Sequence, residues 1–379
     1  MNIGVYARQL AGPMIGARRA LEGVLREWAK SGVDGHTIFL YSPHKFDLDF
    51  VHPFHCRFGS GIAKFVGGSL WLQAELPRMA RQDGIDVFWA TLDIAPLPLR
   101  GEIPCLLTVH DLGFFEIPGL LSFYVRSVYG LLFRRSLNSS KKITCTTDAM
   151  KKDLLRLGCR EGQVQVIHHG VDLAAFAPSY QLNQEARMQF DIQSSYFLFV
   201  GHLRPNKNLE RTLLAFKLFL SQCAVNPKPC LVLAGGRTPT DGPIMELLQD
   251  PAIKEHVRYL GFVVESDLPR LYHDAIGFVC PSVYEGFGLP FLEALAAGLP
   301  VIAPAIPTAL EVCGDAAIYV DPQRIDSIAS GFKTLWELGS ARESYRRKAK
   351  DRAEQFSWSW AADRTLKTLE ELVPQKSLS

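Results

Sequence analysis

The sequence predicts an α/β protein built from two doubly wound, Rossmann-like domains. Apolar runs typical of buried strands alternate with helical patterns along the whole 379-residue chain, which favours parallel sheets joined by crossover helices. A polar, weakly patterned stretch interrupts the alternation near 176–194, and the alternation then begins again. A chain of this length can form two domains with a core each. We therefore expect a second sheet after the interruption, with the two domains facing one another across a cleft.

Each domain is predicted to contain six strands. Those of the first domain are expected at 3–7, 36–41, 85–90, 104–110, 141–147 and 163–170. Those of the second are expected at 195–201, 229–236, 257–262, 275–280, 299–304 and 316–321. Helical patterns in the first half cover roughly 15–30, 70–81 and 149–157. The final stretch, FSWSWAADRTLKTLEEL, has helical spacing and two tryptophans, so we expect it to pack on a neighbouring element.

Composition and charge narrow the class of function. The formal net charge is +2, so no overall attraction to nucleic acid is expected. The eight cysteines form no CxxC pair, and buried free thiols in a reducing cytoplasm are the expected state. We recognise no secretory signal behind the opening MNIGVYARQ and no uninterrupted run of 18 apolar residues. A cytoplasmic chain without a membrane span is therefore expected.

The most informative motif reads PSVYEGFGLPFLEALAAG. Its two carboxylates, Glu285 and Glu293, flank a turn in which Gly286 and Gly288 permit close backbone approach or positive φ. Pro290 suits the first position of a helix, so Glu285 is expected in a loop and Glu293 about one turn inside that helix. A helix N-terminus favours an anionic ligand. Because carboxylates do not bind phosphate, the pair is expected to bind hydroxyls beside it, as in a sugar nucleotide.

A basic loop lies upstream, in the strand–loop–helix run FVGHLRPNKNLERTLLAF. Arg204 and Lys207 stand in the loop, and Asn208 is a candidate N-cap for the helix. Cations outside a helix N-terminus are unfavourable unless an anion lies between them, so the loop is a candidate diphosphate clamp. By itself, such a loop is more often simply solvated.

Three other features are candidates for the site. His110 follows an apolar strand, at the edge where ligands bind parallel sheets; a His satisfied by a local hydrogen bond is the alternative. Gly16 ends the loop after the first strand, where glycine allows close approach to an acceptor or donor phosphate. Asp47 and Asp49 spell a DxD in a polar loop, which we interpret as surface without a metal, since hard cations require more oxygen ligands.

Together these segments resemble the retaining glycosyltransferases of family 4, which have the GT-B fold. The resemblance rests on E-x7-E within EGFGLPFLEALAAGLPVI, on VGxxxPxKN before it and on ALEVCGDAAIYVDP after it. TVHDLGFF, VIHHGVDLAAF and FSWSWAADRTL are similar to the family's first-domain strand end, its exit into the linker and its last helix. The resemblance covers nearly the whole chain. It implies an acceptor-side domain over 1–175, a linker over 176–194, a nucleotide-sugar-binding domain over 195–355 and a helix over 356–379 that crosses back to the first domain.

The resemblance also implies roles for the candidate residues. Lys207 and Arg204 would hold the donor diphosphate, and Glu285 would contact hydroxyls of the transferred sugar. Glu293 would bind the nucleotide ribose, and His110 would reach across the cleft to the donor sugar. Backbone N–H groups for the sugar and phosphate would come from Gly286, Phe287, Gly288 and Leu289. Where many members have Arg after the glycine of the VG pair, this chain has His202, and Arg204 is expected to substitute.

The implied reaction moves a sugar from a nucleoside diphosphate to an acceptor hydroxyl with retention, using no side-chain nucleophile, metal or other cofactor. The motifs are most similar to those of bacterial mannosyl- or rhamnosyl-type transferases that build surface polysaccharides. This indicates GDP-mannose as donor, with a UDP-sugar second, and a glycan or lipid-linked oligosaccharide as acceptor. A GT-B phosphorylase or nucleotide-sugar epimerase, and a non-catalytic GT-B scaffold subunit, are the alternatives.

The segment 120–142 is aromatic, apolar and basic. A basic amphipathic helix can lie on an anionic membrane surface, which would give a cytoplasmic protein peripheral contact with the inner membrane. A crossover helix buried against the first sheet fits the same pattern. The sequence leaves both interpretations open.

Overall fold

The computed structural model describes residues 1–12, 16–33, 35–60, 68–117, 123–176, 190–192, 194–224 and 227–373. The chain divides into two compact units. Unit 1 comprises Met1–Gly170 together with Ser357–Ser379, and unit 2 comprises Val171–Phe356. Most of the expected linker, 177–189, lies outside the described residues.

Within the described residues, unit 1 contains a sheet of seven parallel strands in the order β3-β2-β1-β4-β5-β6-β7. The strands are β1 Asn2–Tyr6, β2 Thr37–Ser42, β3 His55–Phe58, β4 Val87–Ala90, β5 Cys105–Val109, β6 Lys142–Cys145 and β7 Val164–Val166. The helices are α1 Gly16–Ser31, α2 Gly68–Gln82, α3 Gly113–Glu116, α4 Phe123–Ser139 and α5 Asp148–Arg156. The order reverses between β1 and β4, which is the switch point of a doubly wound sheet.

Unit 2 repeats this plan with six parallel strands among its described residues, in the order β10-β9-β8-β11-β12-β13. The strands are β8 Tyr196–Val200, β9 Cys230–Ala234, β10 Val257–Gly261, β11 Gly277–Val279, β12 Val301–Pro304 and β13 Ala317–Val320. The helices are α6 Leu209–Gln222, α7 Gly242–Leu247, α8 Leu268–Asp274, α9 Leu289–Ala296, α10 Pro307–Cys313, α11 Ile325–Trp336 and α12 Ala341–Ala353. Its switch point lies between β8 and β11.

A last helix, α13 Trp358–Glu370, belongs to unit 1 and packs on α1. The Trp28 indole donates to the carbonyl of Ala362 at 3.0 Å. The Trp358 ring lies against Gly23, where a Cβ would overlap it. Trp28 and Trp358 therefore hold this helix against α1, which agrees with the predicted packing of the C-terminal stretch on a neighbouring element. Trp360, the other tryptophan of that stretch, is 48% exposed.

The twelve predicted strands all form. Six of them are one or two residues shorter at each end than predicted, and β1 and β2 are displaced by one residue. The last strand of unit 1 stops at Val166 instead of 170. Strand β3, His55–Phe58, is missing from the prediction. It is an edge strand of four residues, none fully buried, so its sequence HCRF lacks the apolar run that identifies the others.

None of the helices in the described ranges combines the length and apolar character needed to cross a lipid bilayer.

Candidate functional site

The basic loop of unit 2 leaves the sheet at its switch point. It follows β8 and ends in a short 3-10 turn, Pro205–Lys207, directly before α6. The aliphatic stem of Lys207 lies beside Gly201, so its amine extends along the carboxyl edge of the sheet. Ligands of doubly wound sheets bind at this edge.

Asn208 ties this loop to the loop that follows β11. Its side-chain amide donates to the carbonyls of Pro281, at 2.9 Å, and Pro322, at 2.7 Å. The residue has φ +58°, a left-handed conformation that Asn tolerates better than most residues. The expectation that its side chain caps α6 is wrong, because that side chain caps none of the helix N–H groups that the structure describes. Its backbone carbonyl accepts from Thr212 N at 3.1 Å, and its side-chain oxygen accepts from the guanidinium of Arg211 on α6, also at 3.1 Å.

The loop after β11 places Glu285 against Lys207. The Lys207 Nζ donates to Glu285 Oε1 at 2.6 Å, and the Glu285 side chain is only 8% exposed. A second donor, the hydroxyl of Ser282, reaches the same oxygen at 2.6 Å. Asn206 reinforces the pairing of the loops, since its carbonyl accepts from Val283 N at 2.9 Å. A cation and a carboxylate are thus fixed side by side at the switch point.

Between the two glutamates the chain turns into α9. Gly288 has φ +86° and stands at the N-cap position, which supports the prediction of a special backbone conformation there; Gly286 is not among the residues with positive φ. Pro290 is the second helical residue, one place later than predicted. Among the described side chains, none caps this helix, so its N-terminus remains suited to an anionic ligand.

The rest of this turn is buried. Phe287 is 4% exposed and packs edge-on against Phe356, with ring centroids 5.9 Å apart. Leu289 begins the helix and is half-buried. Glu293 lies one turn inside, 6% exposed, and its Oε2 accepts from the buried hydroxyl of Tyr272 at 2.9 Å. Both carboxylates of the motif are therefore buried and hydrogen-bonded to a neighbouring hydroxyl.

Arg204 and His202, the other basic side chains of the loop, are placed differently from Lys207. Arg204 is exposed, and within the described residues its side chain makes no hydrogen bond or ion pair. His202 is half-buried with its ring over Gly236. Burial lowers the pKa of His202, and the positive charges of Arg204 and Lys207 lower it further. An anion bound among these groups would raise the pKa of His202 again.

His110 lies in unit 1, at the end of β5. Its Nε2 donates to the carbonyl of Thr91 at 2.7 Å. Its backbone N–H donates to Asp93 at 3.0 Å. Burial raises the pKa of the Asp93 carboxyl to about 6, and burial lowers the pKa of the neighbouring His169 well below its usual range. The local hydrogen bond that was the alternative for His110 is therefore present, and it orients the ring.

The remaining candidates lie on the surface of unit 1. Gly16 is the exposed first residue of α1, and the loop residues before it, 13–15, lie outside the described residues. Asp49 of the DxD is paired with Arg26, whose hydrogen bond lowers the pKa of that carboxyl. Asp47 is exposed. Over the described ranges, no three His, Cys, Asp or Glu side chains are grouped so as to hold a metal ion.

Comparison with known sequences finds a glycosyltransferase family in each half of the chain. Residues 15–175 match the family described as Glycosyltransferase Family 4, and residues 183–352 match Glycosyl transferases group 1. O-antigen chain mannosyltransferase B of Escherichia coli is 31% identical over 278 residues, which cover 71% of this chain and 71% of that protein.

Solved structures share the fold. Sucrose-phosphate synthase from Thermosynechococcus elongatus is similar with a TM-score of 0.79 at 20% identity, covering 98% of each chain. The Anabaena protein HepE, solved in complex with UDP-glucose, has a TM-score of 0.75 at 18% identity, covering 98% of this chain and 100% of its own. These similarities confirm the predicted α/β fold with two doubly wound domains.

Proposed function

Since the chain belongs to glycosyltransferase family 4 and has the GT-B fold, we propose that it transfers a sugar with retention of configuration from a nucleoside diphosphate to an acceptor hydroxyl. The observation that carries this proposal is the Lys207–Glu285 pair, 2.6 Å apart at the switch point of unit 2, beside the N-terminus of α9. A cation beside a helix N-terminus suits a diphosphate, and a buried carboxylate suits a sugar hydroxyl.

The chemistry follows from where charge develops. As the glycosidic bond breaks, the sugar gains oxocarbenium character and negative charge accumulates on the departing diphosphate. In the proposed site Lys207 and the N-terminus of α9 stabilise that charge, and no metal ion is needed. Glu285 holds a sugar hydroxyl and does not act as the nucleophile. The acceptor oxygen forms its bond to the anomeric carbon on the face from which the diphosphate departs, and the departing phosphate oxygen takes the acceptor's proton.

For the donor we propose GDP-mannose, and for the acceptor a glycan or lipid-linked oligosaccharide of a surface polysaccharide. The name of the Escherichia coli relative, an O-antigen chain mannosyltransferase, supports mannose and a polysaccharide acceptor. HepE is solved with UDP-glucose, which keeps a UDP-sugar as the second candidate. A non-catalytic scaffold is disfavoured by the intact pairing of Lys207 with Glu285.

Thermal unfolding with GDP, UDP and dTDP tests the donor. The matching nucleotide at 100 times its Kd should stabilise the protein by about 2.7 kcal/mol, and the others should barely shift the melting temperature. Turnover of the matching sugar nucleotide, unchanged by EDTA, should give product of retained configuration by NMR. Inverted product, or activity abolished by EDTA and restored by Mn²⁺, would refute the mechanism. Nucleotide binding without any turnover would favour the scaffold.

We further propose that α4 contacts an anionic membrane. Its outer face exposes Val128 and Leu131 together with Arg134 and Arg135, whereas Phe133 is fully buried on the opposite side. Apolar and cationic groups on one face are what an anionic lipid surface attracts. The buried side fulfils the crossover-helix interpretation, so the two interpretations are compatible.

Flotation with liposomes tests this contact. The protein should float with vesicles containing anionic lipid and remain in solution with neutral ones. Charge reversal at Arg134 and Arg135 should at least halve the floated fraction, because each basic residue near such a surface contributes about 1 kcal/mol. The matched control is charge reversal at Arg156, which is paired with Asp153 on α5. A wild-type protein that stays wholly in solution would contradict the proposal.

A further inference from the structure

We infer that Ser282 and Tyr272 are positioning residues, each of which uses a buried hydroxyl to orient one of the two carboxylates of the donor site. Ser282 orients Glu285 at the sugar end, and Tyr272 orients Glu293 at the nucleotide end. The inference rests on the proposed function of this site and adds to it the groups that aim its two carboxylates.

Ser282 fixes which oxygen of Glu285 faces the ligand. The hydroxyl is fully buried and donates to Glu285 Oε1 at 2.6 Å, the same oxygen that Lys207 contacts. Within the described residues Oε2 accepts no hydrogen bond, so Oε2 is the oxygen presented to a sugar hydroxyl. Burial raises the pKa of the Cys280 thiol to about 11. The single hydroxyl proton of Ser282 is already donated to Glu285, so in the 3.2 Å contact between Cys280 Sγ and Ser282 Oγ the protonated thiol is the donor.

A second anchor on Glu285 has a physical purpose. Lys207 is the cation proposed to follow the charge of the departing diphosphate, so its bond to Glu285 weakens as that charge develops. A carboxylate held by Lys207 alone would then be free to rotate. Ser282 comes from the same loop as Glu285, three residues earlier, and does not contact the diphosphate in this proposal. It can hold Glu285 in place throughout the reaction.

Tyr272 provides the corresponding anchor for Glu293. It lies on α8, is fully buried, and donates to Glu293 Oε2 at 2.9 Å, with the carbonyl of Pro290 further away at 3.4 Å. Its ring packs against Phe278 and Phe176, each with centroids 5.6 Å apart. A packed ring leaves the hydroxyl little freedom, so the carboxylate of Glu293 is held in one orientation.

Two variants, one at each hydroxyl, test whether Ser282 acts at the sugar end and Tyr272 at the nucleotide end. Ser282→Ala should lower kcat for the sugar nucleotide about 10- to 100-fold, the range for losing a hydrogen bond to a charged group, while the Kd of the nucleoside diphosphate changes less than twofold. Tyr272→Phe should raise that Kd about 10-fold and change kcat at saturating donor less than threefold. Ser282→Thr keeps the hydroxyl and should restore most of kcat; Ser282→Cys, a weaker donor, should fall between.

The possible outcomes separate the inference from the function on which it rests. A folded wild-type protein that binds no nucleoside diphosphate and turns over no sugar nucleotide overturns both. Normal wild-type turnover with an unchanged kcat in Ser282→Ala overturns the inference alone. The inference alone is also overturned if Ser282→Ala and Tyr272→Phe both change kcat or both change the Kd. It is overturned as well if kcat of Ser282→Thr is as low as that of Ser282→Ala. Should Ser282→Ala unfold, kcat of Ser282→Thr and Ser282→Cys decides the matter.

Discussion

Replacing Lys207 with Met is expected to lower kcat/KM for the sugar nucleotide by about 10²- to 10³-fold, the usual cost of removing one preorganised group from developing negative charge. Met preserves an unbranched stem beside Gly201 and removes the ammonium group, with its charge and its bond to Glu285. Lys207→Arg keeps the charge but not the shape of the ammonium group, and should lose less. Steady-state kinetics with the donor identified by thermal unfolding measures both variants.

Removing the cation also leaves Glu285 buried without its partner, which can destabilise the fold. The double variant Lys207→Met/Glu285→Gln removes the unpaired charge and should recover stability without recovering kcat/KM. Lys217→Met is the matched control, because Lys217 contacts Asp250 at the same 2.6 Å on an exposed face of α6. A loss in Lys207→Met no larger than in this control would contradict the assignment of Lys207 to the diphosphate.

The sequence predicts the sheets well because each buried parallel strand is a short apolar run between turn residues. The edge strand β3 gives no such signal. The motif around Glu285 and Glu293 predicts a loop, a turn and a helix because glycine and proline have strong backbone preferences. The position of Glu293 one turn inside α9 follows directly from the placement of Pro290.

The contacts that orient the site are not local, and the sequence does not reveal them. Asn208 is of a residue type that often caps helices, yet its side-chain amide donates to two carbonyls more than 70 residues away in the sequence. Tyr272 is one aromatic residue among many on amphipathic helices, and nothing in its own segment predicts a bond to Glu293. Ser282 is nearer in sequence to its partner, since it stands in the same loop three residues before Glu285.

Gly235→Ala is expected to be the most destabilising small substitution near the site. A Cβ at this position would overlap the carbonyl oxygen of Gly201 and lie 3.2 Å from the backbone nitrogen of His202. Both obstacles are backbone, so no side chain can move aside. Relief would shift the start of the basic loop, which is also held by the bond from Leu203 N to the carbonyl of Gly236, 3.0 Å long.

We therefore expect Gly235→Ala to lower the free energy of unfolding by about 3 kcal/mol, at the upper end of overpacking costs, which for a unit of this size corresponds to about 6–12 °C in Tm. Because the displaced loop contains Lys207, nucleotide affinity should fall as well. Gly242→Ala is the matched control: a Cβ there meets no atom within 4 Å, and alanine in α7 should be neutral or slightly stabilising. Calorimetry and nucleotide titration measure the two effects. A Gly235→Ala protein with the same Tm and nucleotide affinity as Gly242→Ala would contradict this prediction. It would show that the backbone at Gly235 and at Gly201 can separate without cost, and that the loop is not held where the donor site requires it.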